Sequence, residues 1–412
     1  MIKLDVLFCG WGEQWQLGTL ADNGSVLLFE YAPAALRRGL ELSPRHLKLQ
    51  AAAYGDFAPH QWRLPGLIAD ALPDGWGMLP LDRLFRKNGR APTRLSPLER
   101  LAFIADRATG ALAFAPADAL AQPSAELDLR ALGHAAQAIG YGKDRDSELL
   151  QQLALLGGAS HGARPRLQLQ FDPASGQLGA LPGDAGTPWL FKLPAHGEHK
   201  EVCAVEHVYA ELARACGLDV PATCHFDLDR RLAAFGVERH DRSDGMRVPV
   251  HTLAGLLHAD FRRAQLDYGI YLRVTRMMTR DESQVRAAFE RCVFNVLFHH
   301  RDDHARSFSF RMDQRWQWRL APCHDLGFSL GPGGEHQMAV MGERREPAAA
   351  DLLRLALDAA LDPVWAGRVV ERMADLGGRF VQLAKTAPIR AATVKAIARI
   401  IEDNRLRLAR PA

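Results

Sequence analysis

Apolar and polar residues alternate at the start of the chain, so "KLDVLFCG" and "SVLLFEY" read as strands. The Asn-Gly pair of "ADNGS" between them signals a hairpin. From about Asp70 to Arg107 the repeat lengthens to that of a helix, with "LPDGWGMLPLDRLFRKNG" starting after Pro-Asp and stopping at Asn-Gly. Arg83, Arg86, Arg90, Arg94 and Arg100 then fall on the expected solvated face. "APADALAQPSAELD", rich in Ala, Pro and Ser, marks a boundary near residue 120.

A glycine-rich stretch, "LLGGASHGARPRLQLQFD", runs into alternating residues that predict a strand. After the turn-rich "DPASGQLGALPGDAGTP" comes a short strand, "WLFKLP". "EVCAVEHVYAELARACGLDVP" predicts a helix with apolar residues at Val202, Val205, Val208, Leu212 and Ala215, ended by Gly217. "RLAAFGVERHDR" is a further strand with a charged exit. Beyond Val250 the pattern is mainly helical, apart from a hairpin-like return through "WQWRLAPCHDLGFS", and no repeat is visible. The chain therefore divides into strands and helix (1–120), a glycine-rich β segment with one helix (121–242) and a largely helical body (243–412), an α+β organisation.

Composition narrows the class. At 412 residues about two or three domains are expected, and 48% hydrophobic with 24% charged residues is the balance of a globular protein. A net charge of +3 is too weak to argue for nucleic acid or a membrane surface. The six cysteines form no C-x-x-C pair and no zinc-ribbon spacing, so buried free thiols in a reducing cytoplasm are expected. "MIKLDVLFCGWGEQW" is a poor signal peptide and no apolar run is long enough to span a bilayer, which predicts a soluble cytoplasmic protein with no membrane partner.

The chemistry concentrates in "HHRDDHARSFSF", His299 to Phe310, where charged residues crowd between apolar flanks. Phosphoryl transfer needs positioning and charge neutralisation: a glycine turn over phosphates, a strand lysine, a base and carboxylates for magnesium. Candidates for each occur in the order kinase folds use. "GGASHGARPR", Gly157 to Arg166, is the glycine turn; its backbone N–H groups can point at phosphate oxygens, with Arg164 and Arg166 adding charge. An ordinary helix-to-strand loop is the plainer reading. Lys192 in "WLFKLP" is the strand lysine and Glu206 its natural partner; alternatively Lys192 caps an edge strand and Glu206 lies on a wet helix face. In His-Arg-Asp order Asp302 is the base, Ser307 falls where a metal-binding Asn is expected, and Asp325 of "HDLGFS" takes the place of the Asp-Phe-Gly aspartate.

Taken together, "LPDGWGMLPLDRLFRKNG", "ATGALAFAP", "GARPRLQL", "LFKLP", "VEHVYAELARACGLDVP", "GVERHDR", "RDDHARSFSF" and "LAPCHDLGFS" resemble, over nearly the whole chain, the HipA-type serine/threonine kinases, toxins of bacterial toxin–antitoxin modules. The resemblance implies a bilobal protein-kinase-like fold with an extra N-terminal strand-and-helix subdomain and a mainly helical C-lobe. It implies Asp302 as the base, His304 by the nucleotide, and Asp325 on magnesium with His324 beside it. It implies Lys192, steadied by Glu206, on the α- and β-phosphates of ATP, and His161, Gly162, Ala163, Arg164, Pro165 and Arg166 as the phosphate loop. Glu238, Arg239 and His240 become the hinge to adenine, with Asp241 near the ribose. The implied partners are a small helix-turn-helix antitoxin of the HipB type, operator DNA reached through it, and a translation-related protein target.

Two departures stand out. Ser307 offers only a hydroxyl where the family has Asn, and Ser160, the serine available for self-inhibitory phosphorylation, sits one residue closer to Gly162 than the family spacing. Three other readings compete. A metal-dependent hydrolase would use His300, Asp303 and His304, although "HRDDH" lacks the glutamate of H-E-x-x-H. A pseudokinase or a small-molecule kinase would keep the fold and change the reaction.

Overall fold

A computed structural model describes residues 1–120, 128–140, 146–159, 161–180, 184 and 186–409. The chain forms two compact units. The first comprises Met1–Cys203, Thr223–His251 and Gly255–His258, the second Ala204–Ala222, Thr252–Ala254 and Ala259–Ala412. Residues 121–127, into which the boundary expected near residue 120 runs, lie outside the described residues.

The first unit contains two five-stranded antiparallel sheets among the described residues. One has strands β1 (Ile2–Phe8), β2 (Trp15–Asp22), β3 (Leu27–Tyr31), β4 (Ala53–Tyr54) and β5 (Leu112–Ala115) in the order β4-β3-β2-β1-β5. The Asn-Gly turn joins β2 to β3, with Asn23 Oδ1 accepting from the Val26 amide at 2.8 Å. The strand before that turn is therefore Trp15–Asp22, while Ile2–Phe8 lies one strand further in. Gly18 hid β2 from the pattern; a Cβ there would come 2.4 Å from the Glu30 carbonyl oxygen and 2.6 Å from the Phe29 ring. The second sheet has β6 (Arg166–Phe171), β7 (Leu178–Gly179), β8 (Thr187–Lys192), β9 (Thr223–Asp227) and β10 (Ala233–Glu238) in the order β7-β6-β8-β10-β9. Leu167, Leu169 and Phe171 of β6 bury with Trp189 and Phe191 against the helices Leu129–Gly140 and Ser147–Gly157, each large side chain contributing roughly 1.5–3 kcal/mol.

The stretch expected to be helical breaks into helices Met78–Lys87 and Pro97–Ile104, with a tight turn at Asp74–Gly77. Asn88-Gly89 does end the first of these helices, Gly89 taking φ +72°. The solvated arginine face holds at Arg86 and Arg94 and fails at Arg100, which is buried. Its guanidinium donates to Asp82 and to the Pro92 carbonyl at 3.1 Å, so a paired cation replaces an apolar core residue.

Helix Glu282–Leu297 is the axis of the second unit, buried on every side from Arg291 to Leu297. Its last carbonyls would lack partners. Asn404, buried in helix Ala391–Leu408, supplies them by donating to Val296 O at 3.1 Å and Leu297 O at 3.0 Å. His299 then turns the chain with φ +56°, so the charged cluster begins from a fixed point. All six cysteines are free thiols, and among the described residues no helix is long and apolar enough to cross a membrane.

Candidate functional site

The expected site residues divide between the two units. In the first, helix Ser147–Gly157 delivers the glycine turn and β6 carries it away. Gly162 adopts φ +114°, a conformation that favours glycine. Its carbonyl accepts from the Trp76 amide at 2.9 Å, and its own amide donates to the Asp74 carboxylate. A Cβ on Gly75 would lie 2.5 Å from the Gly162 carbonyl oxygen. The turn is thus braced by Asp74-Gly75-Trp76, a role the sequence reading missed although "PDGWG" was in view; Gly162 contributes shape, its N–H being already spent. Ala163 is exposed. Arg164 grips Glu198 through Nε at 2.9 Å and Nη2 at 3.0 Å, Pro165 O accepts from the Leu193 amide at 2.9 Å, and Arg166 pairs across the sheet with Lys192. Ser160 lies outside the described residues, and His161 is half-buried.

Lys192 is 3% exposed at the end of β8, which has β6 on one side and β10 on the other. The edge-strand alternative therefore fails. Its Nζ lies 5.3 Å from the centroid of the Phe235 ring, one of the contacts that offset the cost of burying a cation. Glu206, in the second unit, is 5% exposed on helix Glu201–Ala215, so the wet-face alternative fails too. That helix is buried on more sides than the single stripe expected, while Ala215 is exposed.

At the expected hinge, Glu238 ends β10 and Arg239 N donates to Pro188 O at 2.9 Å, and His240 is half-buried. Asp241 is buried and accepts from Arg239 Nε (2.9 Å) and Nη2 (2.7 Å), Arg242 Nη1 (2.7 Å) and the Gly110 amide (2.8 Å). Burial opposes its charge, but the Arg239 and Arg242 guanidinium groups prevail and hold the carboxyl well below the usual range. Both oxygens are therefore occupied within the unit, tying the hinge to the 108–112 segment.

In the second unit the two acidic loops run side by side. His300 and Ser329 form a parallel bridge, Ser329 N donates to His299 O at 3.2 Å, and His300 Nδ1 lies 2.8 Å from Gly327 O. Between the loops the chain makes the antiparallel hairpin Ser309–Met312 with Trp318–Leu320, anchored where Arg291 donates to Ala321 O at 2.7 Å. Asp325, half-buried beside His324, sits at φ +61°, a strained conformation for a residue with a Cβ. Asp302 is exposed, and its Oδ1 accepts from Gln337 Nε2 at 2.8 Å. His304 lies with its ring 5.6 Å from that of Phe261, and its Nδ1 is 3.1 Å from Ser307 Oγ. A hydroxyl donating to that nitrogen keeps its lone pairs for a cation.

Asp302, His304, Ser307 and Asp325 thus belong to one bridged loop system. His300 and Asp303 face inward, Asp303 accepting from Tyr268 Oη at 2.7 Å and lying 2.9 Å from His336 Nδ1. Among the described residues no group of three or more His, Cys, Asp or Glu could hold a metal ion, which removes the ligand set of the hydrolase reading. Magnesium asks less, since it keeps waters and phosphate oxygens and takes one or two protein oxygens. Gln337, Tyr268 and His336 gave no signal in the sequence, because the chain brings them to the cluster from a distance.

Residues 158–382 match the family model described as HipA-like C-terminal domain, and residues 11–115 match HipA N-terminal domain. No curated protein matches the sequence. A chain of the Shewanella oneidensis MR-1 toxin–antitoxin complex of HipA, HipB and operator DNA is similar at 18% identity, over 98% of this chain and 97% of that one, with a TM-score of 0.71. The Helicobacter pylori proinflammatory kinase CtkA is similar at 10% identity over 59% of this chain and 90% of that one, with a TM-score of 0.42.

Proposed function

The chain belongs to the HipA family, and we propose that it is an ATP-dependent serine/threonine protein kinase, transferring the γ-phosphoryl group to a protein hydroxyl. Its fold is α+β and kinase-like, with an N-terminal HipA domain of strands and helix. On this reading residues 1–120 are that N-terminal subdomain, 121–242 the N-lobe and 243–412 the C-lobe. The observation that carries the proposal is the bridge at His300 and Ser329, which joins the loop of an exposed Asp302 to the loop of a strained Asp325.

Asp302 orients the acceptor hydroxyl and takes its proton; an exposed carboxylate can meet an incoming side chain. Lys192 neutralises the α- and β-phosphates, and the turn from His161 to Arg166 covers them. The hinge backbone around Glu238 and His240 presents adenine with donors and acceptors, and Asp241, bound to Arg239, steadies that hinge from within. Magnesium, when bound, would neutralise charge on the phosphate oxygens, and Asp325 with Ser307 offers the oxygen ligands a hard cation takes. Purified chain incubated with radiolabelled ATP, with casein and the chain itself as acceptors, should yield label on phosphoserine or phosphothreonine. Label released only as free phosphate would sink the proposal.

The same reading makes this chain the toxin of a toxin–antitoxin pair acting in the cytoplasm. The Shewanella relative is found with HipB and operator DNA; for this chain we take the partner to be a small helix-turn-helix antitoxin that reaches the operator. A net charge of +3 suits a protein that leaves DNA contact to its partner. Self-phosphorylation at Ser160 belongs to the proposal, and mass spectrometry after incubation with ATP tests it.

A further inference from the structure

The kinase reading gives no task to the second aspartate of "RDDH", yet Asp303 is 0% exposed. A carboxylate so placed persists only if its oxygens are satisfied. Asp303 Oδ2 accepts from Tyr268 Oη at 2.7 Å and lies 2.9 Å from His336 Nδ1. Its Oδ1 accepts from the Gln337 amide at 2.8 Å. Each donor is itself fixed. Tyr268 opens helix Tyr268–Thr279, and its hydroxyl accepts from Asn295 Nδ2 at 2.9 Å, on the central helix. The segment behind His336 and Gln337 continues as the short strand Met338–Ala339, parallel to Leu266–Asp267.

A closed ring results. Asp303 holds the Gln337 backbone, and the Gln337 side chain returns to Asp302 Oδ1 at 2.8 Å. Asp302 is exposed and would otherwise rotate about its side-chain torsions. We propose that Asp303 and Gln337 are positioning residues for the reaction: Asp303 anchors Gln337, and Gln337 fixes the carboxylate of the base. The inference rests on the kinase reading of Asp302. It explains why two adjacent aspartates differ so sharply in burial, one facing the substrate and the other facing the scaffold.

Steady-state kinetics with radiolabelled ATP, on the full chain with casein and the chain itself as acceptors, test it. Gln337→Ala should lower kcat roughly tenfold, the loss expected when a hydrogen bond to a charged group disappears. Its KM for ATP and its thermal midpoint should stay at wild-type values. Gln337→Glu, of the same shape, sets an anionic oxygen against Asp302 and should lower kcat further. Asp303→Asn should match Gln337→Ala, and the double variant should be no worse than either, because the two residues act in series. A Gln337→Ala enzyme with wild-type kcat, or double-variant losses that multiply, overturns the inference. Should Asp303→Asn not fold, the two Gln337 variants decide alone. An inactive wild type is a different outcome, since it refutes the kinase reading itself.

Discussion

Asp241→Asn isolates one buried charge and the hinge it supports. The aspartate accepts four hydrogen bonds, three from guanidinium groups and one from the Gly110 amide, at 2.7–2.9 Å. Asparagine keeps the shape but turns an NH2 group toward donors and leaves Arg239 and Arg242 without their anion. Removing one member of a buried ion pair costs about 3–5 kcal/mol. At roughly 2–4 °C per kcal/mol for a unit of this size, the first unit's calorimetric midpoint should fall by about 6–20 °C. Hydrogen exchange at the Gly110 amide should quicken, which identifies the site of the loss. The exposed pair Arg273–Asp358, also at 2.7 Å, is the control, and Asp358→Asn should cost less than about 1 kcal/mol. The sign with pH follows from the depressed carboxyl. Its contribution is complete above the unfolded value of about 4 and disappears as pH falls through the lower folded value. An Asp241→Asn midpoint within about 2 °C of wild type would mean the network contributes only as a surface pair does, and the reasoning would be refuted.

Gly75→Ala places a methyl group where only 2.5 Å separates it from the Gly162 carbonyl oxygen, and at φ +49°. It should displace the glycine turn and raise the KM for ATP severalfold with a smaller effect on kcat, as steady-state kinetics would show. His299 is pushed down to about 3 by burial first and then by Arg301, His336 and Arg407. The unfolded chain therefore binds the extra proton between about pH 6.5 and that value, so stability should drop as the pH is lowered across this window; His299→Gln should flatten the slope in urea titrations. Asn404→Leu leaves the Val296 and Leu297 carbonyls without that donor and should lower the second unit's stability by about 1–3 kcal/mol, measured by urea unfolding.

What the sequence made legible was whatever depends on neighbours along the chain. Leu167, Leu169 and Phe171 alternate, and β6 is a strand with those residues inside. Glycines at 89 and 162 mark turns because their backbones require it. The acidic residues at 302 and 325 were singled out by order and spacing, and the bridge from His300 to Ser329 that joins their loops lies just outside both positions. The illegible part depends on distant partners. Arg100 is a charged residue on an apparently polar face until Asp82 and Pro92 surround it. The resemblance implies Asp241 near the ribose, but the arginines and Gly110 that bind it meet it only in the fold. Gln337 shares no pattern with Asp302, yet it donates to its carboxylate.

The assignment of the base is tested most directly by single-turnover transfer from saturating radiolabelled ATP by Asp302→Ala beside wild type. Loss of a general base should slow transfer by at least about a hundredfold while ATP still binds. Equal rates in the two proteins would contradict the account.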